Sequence, residues 1–199
     1  MATELRLGTR ASCSDGACGE VRRAVLDPGT RTVTYLVIEH KHRPGSGRLV
    51  PVNLVDATGA EIRLQCTLAE FDRLDPAEEV DIAQGYAGVG LAIGDSGSSM
   101  DVGHPTPTYV IDSVPAGEAE VVRHQSVHAV DGEIGKVDGF AVNPDDHKVT
   151  HVLLREGHLW GRKKVAIPIT AVTAVDEGIR LNLTKQQVED LPPISQGHP

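Results

Sequence analysis

The sequence predicts a mainly β protein: two small β-barrels, each with a short C-terminal helix, joined by a flexible linker. Three observations lead to this prediction. An ordered set of turn and apolar residues occurs twice in the 199 residues, short β-branched segments alternate apolar and polar side chains, and the middle of the chain is rich in glycine. The length fits two domains of modest size.

The repeat is defined by turn residues and by apolar residues at fixed separations. Residues 15–37 are matched 116 positions later by residues 131–153, and residues 51–76 are matched 117 positions later by residues 168–193. The shared residues include Asp15-Gly16, Gly19, Val21 and Pro51 in the first copy, and Asp131-Gly132, Gly135, Val137 and Pro168 in the second. Because no nucleophile, acid or ligand set is repeated, the pattern indicates a duplicated scaffold rather than an enzyme.

Each copy is predicted to contain four strands followed by a helix. In the first copy, β-branching and alternation predict strands over Gly19–Leu26, Thr32–Glu39, Arg48–Val52 and Glu61–Gln65. Both copies then carry a capping-box sequence, Thr67 to Glu70 and Thr184 to Gln187, which predicts the start of a short helix. Prolines end both segments.

The connector between the copies differs from both in composition. Residues 84–117 contain seven glycines and three prolines, which is typical of a flexible linker, so we predict domains over 1–83 and 118–199 with a Gly-rich acidic linker over 84–117. Residues 77–120 hold eight acidic and no basic side chains and account for most of the net charge of −9. Such a connector repels phosphate backbones, and the chain has six aromatic residues for base stacking, so no direct nucleic-acid binding is expected.

The remaining composition indicates location and redox state. No apolar run approaches the ~18 residues of a membrane helix and no leader is evident, which predicts a cytoplasmic protein without membrane insertion. Three cysteines, Cys13, Cys18 and Cys66, are interpreted as apolar filling rather than as redox or metal ligands. Because each copy is small, docking of the two barrels on each other and homodimerisation both stay open.

The ordered residues of both copies resemble the PRC-barrel domain. The resemblance is carried by Gly19-Glu20-Val21, Tyr35–Val37 and Leu49–Val52 in the first copy, and by Gly135-Lys136-Val137, His151–Leu153 and Val165–Ile169 in the second. This small barrel is named after the photosynthetic reaction centre H subunit and also ends a bacterial ribosome-maturation factor. The chain is most similar to tandem PRC-barrel proteins of actinobacterial type. The resemblance implies an adaptor that docks on proteins and has no general catalytic residue set.

No catalytic residue, metal site or cofactor is predicted. Of the nine histidines, His40 and His42 could share a strand face but have no third ligand close in sequence, His124 and His128 are spread apart if their segment is a strand, and the others singled out, His147, His151 and His158, fall in three different predicted elements. The acidic pairs, such as Glu78-Glu79, are interpreted as solvated charges in turns or helix ends. Exposed loops are where scaffolds carry specificity, and the two copies differ most in one loop. There the second copy has the only tryptophan beside three basic residues, so we predict a protein-binding site at His158, Leu159, Trp160, Arg162, Lys163 and Lys164.

The sequence therefore predicts a non-enzymatic protein-interaction or scaffold module with a protein partner. Two alternatives remain: an adaptor associated with ribosomes or RNA processing, and a module that binds a small molecule or metal at a cleft between the barrels. At the predicted loop, an alternative is that Trp160 covers the end of its own barrel; another is that the basic tip docks on the acidic connector.

Overall fold

A computed structural model describes residues 2–40, 45–56, 61–82, 108–155 and 165–191, with the backbone alone over 79–82 and 108–112. The described chain is mainly β, as predicted, and forms two seven-stranded sheets and a two-stranded ribbon. Each seven-stranded sheet is built around one long strand; the consecutive strands and the helix of one repeat are together called a unit below. Of the described residues, no helix is long and apolar enough to cross a membrane.

The first unit follows the order of strands that the sequence predicted. Its elements are β1 (Thr3–Arg6), β2 (Arg10–Cys13), β3 (Gly16–Asp27), β4 (Thr32–Glu39), β5 (Arg48–Pro51), β6 (Val55–Asp56), β7 (Ile62–Leu64) and helix α1 (Leu68–Phe71). A 3-10 turn at Val52–Leu54 joins β5 to β6. The four predicted strands correspond to β3, β4, β5 and β7.

The second unit repeats these elements after a short ribbon. The ribbon consists of β8 (Glu78–Ile82) and β9 (Thr108–Asp112), and the unit consists of β10 (Ala119–Val122), β11 (Ser126–Ala129), β12 (Gly132–Val142), β13 (Val149–Arg155), β14 (Val165–Pro168), β15 (Val172–Val175), β16 (Ile179–Leu181) and helix α2 (Lys185–Glu189). A 3-10 turn at Ile169–Ala171 precedes β15. Every element of the second unit has a counterpart 116 or 117 residues earlier.

The start of each helix is fixed by a capping box and by the aspartate of the preceding Asp-Gly turn. Thr67 and Thr184 both form the predicted capping boxes, with Glu70 and Gln187 respectively. In addition, Asp15 accepts a hydrogen bond from the amide of Leu68 at 2.8 Å, and Asp131 accepts one from Lys185 at 2.9 Å. The aspartate of each Asp-Gly turn thus ties the helix back to its own hairpin, which explains why the repeat preserves both features.

The strand order is the same in both sheets. The first sheet runs β5-β4-β3-β2-β7-β6 and the second runs β14-β13-β12-β11-β16-β15. Neighbours along each path are antiparallel, except that β2 pairs in parallel with β7 and β11 pairs in parallel with β16. The long strands β3 and β12 leave room for one further strand beside β2 and β11.

That place is filled by a strand from the other repeat. The first strand, β1, pairs with β12 of the second sheet, and its counterpart β10 pairs with β3 of the first sheet. Leu5 lies opposite Phe140, and Val121 lies opposite Ala24, so the registers of the two exchanges are equivalent. The two repeats have therefore exchanged their first strands, so each sheet contains one strand of the other repeat.

A second contact between the units lies at the start of β4 and β13. Thr32 bridges Lys148, which is its own counterpart in the other repeat. The amide of Val33 donates to the carbonyl of His147 at 3.1 Å, and the amide of Val149 donates to the carbonyl of Arg31 at 2.9 Å. Because equivalent residues meet each other here, a pseudo-twofold axis passes between Thr32 and Lys148.

The exchange joins the two hydrophobic cores. One cluster of buried side chains extends through both units, and the exchanged strands supply Leu5, which is 3% exposed, and Val121, which is fully buried. Burying apolar surface drives folding, so each repeat depends on the other for part of its core. The sequence left docking of the two predicted barrels open; the structure joins two seven-stranded sheets through exchanged strands, and in the described residues neither sheet closes into a barrel.

The connector is partly structured. Strand β9 and residues 113–117 lie inside the predicted linker 84–117, and β9 pairs with β8 along its whole length. The amide of Ser113 donates to the carbonyl of Ala77 at 3.0 Å, where the ribbon meets the first unit. Residues 84–107 of the predicted linker lie outside the described residues. The domain boundaries at 83 and 118 stay a prediction, to which the structure adds the ribbon and the exchanged strands.

Candidate functional site: a groove beside an exchanged strand

The loop predicted to bind protein lies outside the described residues. His158, Leu159, Trp160, Arg162, Lys163 and Lys164 all fall within 156–164, so that site stays a prediction. The corresponding loop of the first copy is described from Gly45 onward. Its last residue, Gly47, borders a surface groove.

This groove, with a volume of about 560 Å³, lies where β10 joins the first sheet. Its lining combines charged side chains with two valines: Arg22, Arg23, Val37, Glu39, Gly47, Glu78, Val122, Arg123 and His124. Its lining includes Val122, which is 41% exposed. Exposed apolar surface flanked by charges is typical of sites that contact other proteins.

A bulge in β3 places two arginines at the groove. The pairing of β3 with β4 shifts register between Val21 and Arg23, so Arg22 is the extra residue. Bulges re-aim side chains along a strand. Arg22 is paired with Glu39 at 3.0 Å across to β4, and this pair is largely exposed to solvent at its arginine end.

Arg23 joins three elements. Its guanidinium contacts Glu78 of β8 at 2.5 Å and Glu120 of β10 at 3.1 Å. Glu78 is therefore a strand residue held in an ion pair, and the interpretation of Glu78 as a solvated turn charge was wrong. A nearby carboxylate, Glu118, accepts a hydrogen bond from the Thr34 hydroxyl at 2.7 Å. Several of the connector's acidic residues thus bind the first unit.

Arg123 differs from the other two arginines. It follows β10 directly, and in the described part of the chain it forms no ion pair or hydrogen bond; its Nε atom is buried without a partner. Its guanidinium lies against Gly8: a Cβ built on Gly8 would be 2.4 Å from Nη1 and 2.6 Å from Cζ of Arg123. Gly8 has a φ of +84°, so this position suits glycine on backbone grounds as well.

This groove was not predicted from the sequence, although a signal was present. The repeat extends further toward the N-terminus than residue 10: Glu4 and Leu5 match Glu120 and Val121 at the same separation of 116. Followed through, this separation also aligns Leu7 with Arg123 and Gly8 with His124. The apolar Leu7 of one copy thus corresponds to the charged Arg123 of the other, so the two copies differ in chemistry at this position.

The three cysteines form a buried cluster in the first unit only. The Sγ atoms of Cys13 and Cys66 are 4.0 Å apart, and all three thiols are free. Burial raises the pKa of Cys13 from its ordinary value of 9.0 to about 12 and that of Cys66 to about 11, and it also raises the pKa of Cys18. The thiols are therefore protonated near neutral pH, a state that suits apolar filling and opposes nucleophilic reactivity.

The described residues contain no group of three or more histidine, cysteine, aspartate or glutamate side chains arranged to hold a metal ion. His40, His124 and His128 are exposed, and His151 contacts the Thr150 hydroxyl at 3.1 Å. These side chains do not converge on one point.

A cleft between the units is present but small. It has a volume of about 170 Å³ and lies between β1, the 3-10 turn of the first unit and the hairpin of the second; among its polar lining residues are Asp56, Gln65 and His147. Sites for small organic ligands are typically about 300 to 1,000 Å³. The cleft is therefore smaller than the sites expected for the small-molecule alternative.

Comparison with known proteins gives one family. Residues 122–188 match the PRC-barrel domain, a range that begins at the last residue of β10 and ends within α2. No curated protein matches the chain. The second unit, from residue 122 to residue 188, therefore carries a PRC-barrel domain.

Proposed function

We propose that the chain is a non-enzymatic protein-interaction module in which two PRC-type units form one rigid scaffold. The PRC-barrel domain of the second unit supports this, because that domain is a general protein-interaction module. The first unit has the same elements in the same order as the second. On that correspondence we infer that it is a second PRC-type barrel.

The groove beside β10 is the proposed partner site. The observation that carries it is the exposed Val122 set among arginine and glutamate side chains at the seam between the repeats. An apolar centre with a charged border is the usual composition of a protein-binding patch. Gly47 belongs to the loop of the first copy that corresponds to the Trp160 loop of the second, so the two proposed sites use corresponding loops.

The chain supplies a matched pair of variants. Val122 and Val130 are the two large apolar side chains most exposed among the described residues, at 41% and 69%, and Val130 lies outside the groove. Val122→Glu places a charge in the groove, and Val130→Glu places the same charge in the Asp131 turn. A difference between the two variants therefore reports on the groove and not on added charge.

The test is capture of partners from the native cell extract with the intact chain and both variants as baits, followed by titration calorimetry with the purified partner. We expect Val122→Glu to weaken binding at least tenfold, equivalent to about 1.4 kcal/mol, and Val130→Glu to leave it unchanged. Equal binding by all three baits would exclude the groove as the partner site.

A cytoplasmic location remains part of this proposal and is tested by fractionating the native cells.

A further inference from the structure

The groove holds one cation whose charge nothing in the described chain compensates. Arg22 is paired with Glu39, and Arg23 is paired with Glu78 and Glu120. Arg123, in the same groove, has no such partner among the described residues, and its Nε is inaccessible to solvent. Buried donors are almost always satisfied, and leaving one unpaired costs about 1–3 kcal/mol, or more when the group is charged.

The fold does not require an arginine at this position. The residue at the equivalent place in the first repeat is Leu7, which is 3% exposed and belongs to the shared core. A leucine would fill the position without leaving an unpaired donor. The arginine therefore has a cost in the unbound protein, and the part of its guanidinium that lines the groove is available to a ligand.

We propose that Arg123 binds a carboxylate of the partner protein, either an acidic side chain or a chain terminus. This inference depends on the proposed function, since it names the chemical group that the groove recognises. The planar guanidinium presents its donors in a fork that matches the two oxygens of a carboxylate. Packing on Gly8 holds this fork in place before the ligand arrives, which lowers the entropy cost of binding.

The charges around Arg123 favour a singly charged group. Glu39 and Glu78 also line the groove and are held there by their arginines. Together with Arg22, Arg23 and Arg123 they give the lining a net formal charge of +1, which matches a single carboxylate better than a ligand with several negative charges, such as a polyphosphate. His124 is exposed beside Arg123 and offers a further donor at the groove.

The test uses acetate as the probe and the full-length chain labelled with ¹⁵N. The Nε–Hε signal of Arg123, assigned by its loss in Arg123→Leu, is followed during titration with sodium acetate against sodium chloride at equal ionic strength. We expect a saturable shift of the Arg123 signal, with much smaller shifts for Arg22 and Arg23. A shift that is absent, or that chloride reproduces, overturns the proposal.

Two variants separate binding from folding. Arg123→Leu introduces the residue of the first repeat and should keep the melting temperature while weakening partner binding at least tenfold. Arg123→Lys keeps the charge but loses the fork, so we expect at least fivefold weaker partner binding, whereas Arg63→Lys, at an exposed position on β7 outside the groove lining, should have no effect. Wild-type partner affinity in Arg123→Lys would also overturn the proposal. If Val122→Glu abolishes partner binding while acetate gives no saturable shift, the groove remains the partner site and only the carboxylate assignment fails.

Discussion

At the scale of single residues, Gly139 lies so close to the exchanged strand β1 that any side chain there would clash with the β1 backbone. A Cβ at Gly139 would lie 2.2 Å from the carbonyl oxygen of Leu5 and 2.8 Å from the Cα of Arg6, both backbone atoms of β1. The equivalent residue of the first repeat is Arg23, which β10 accepts opposite Val122. The two exchange junctions are thus equivalent in register and different in how closely the strands approach.

We predict that Gly139→Ala displaces β1 and lowers the free energy of unfolding by about 1–3 kcal/mol, the usual range for an added group in a packed site. Amide hydrogen exchange should accelerate in β1 more than in β13. Gly16→Ala is the control, because its Cβ would meet only the terminal Cδ1 of Leu68 at 3.1 Å. Equal effects of both substitutions would contradict a tight β1–β12 contact.

The buried thiols make stability depend on alkaline pH. Because burial raises the pKa of Cys13 to about 12 and that of Cys66 to about 11 from 9.0, the folded chain retains protons that the unfolded chain releases. Their contribution to stability is therefore complete below pH 9 and is lost as the pH rises toward 11 to 12. Denaturant unfolding at a series of pH values measures this loss.

A variant with the residues of the second repeat isolates the thiol effect. Cys13→Ala with Cys66→Leu places Ala129 and Leu183 equivalents in the first unit. We predict a shallower fall of stability between pH 9 and 12 than in the wild type, since two of the three buried thiols are removed and the rest of the chain is unchanged. Parallel pH profiles would show that the thiols are not protonated by burial.

At the scale of elements, the sequence correctly predicted those turns and helix starts that depend on contacts between residues close together in the chain. Turn residues such as Asp15-Gly16 and the capping boxes at Thr67 and Thr184 depend on contacts within or near one hairpin, and all appear as expected. The exchanged strands could not be assigned to a sheet in this way. A strand such as β1 has the same alternation whichever long strand it pairs with, because pairing across 130 residues leaves no local signal.

The ribbon and the groove were missed for related reasons. Strand β9 lies in a segment whose average composition is glycine-rich, and composition averages conceal a five-residue strand. The groove forms only where β10 reaches the first sheet, so Arg123 and Gly8 meet through the exchange. Its residues are far apart in sequence and belong to both repeats.

The loop at 158–164 lies outside the described residues, so its predicted role in partner binding stays a prediction. We predict that Trp160→Ala weakens partner binding more than it lowers stability, because an aromatic residue beside Arg162, Lys163 and Lys164 is typical of an interface anchor. Binding by calorimetry and unfolding by denaturant are compared on the same preparation. Loss of several kcal/mol of stability with unchanged binding would place Trp160 in the core instead.

At the scale of the whole molecule, the exchange makes the two units one folding unit. Leu5 and Val121 belong to a single core cluster, and the Thr32–Lys148 bridge adds a second junction on the pseudo-twofold axis. A partner site at the seam, such as the groove beside β10, is therefore built from both repeats. Changes that weaken the exchange should alter binding as well as stability.

The most direct test of this account is the pairing of the two exchanged strands, read from cross-strand nuclear Overhauser effects in the intact chain. Exchange predicts contacts between Leu5 and Phe140 and between Val121 and Ala24, which are direct neighbours in the two ladders. Pairing of each strand within its own repeat would instead give contacts between Leu5 and Ala24 and between Val121 and Phe140. Observing the first pair of contacts supports the exchanged scaffold, and observing the second pair would contradict it.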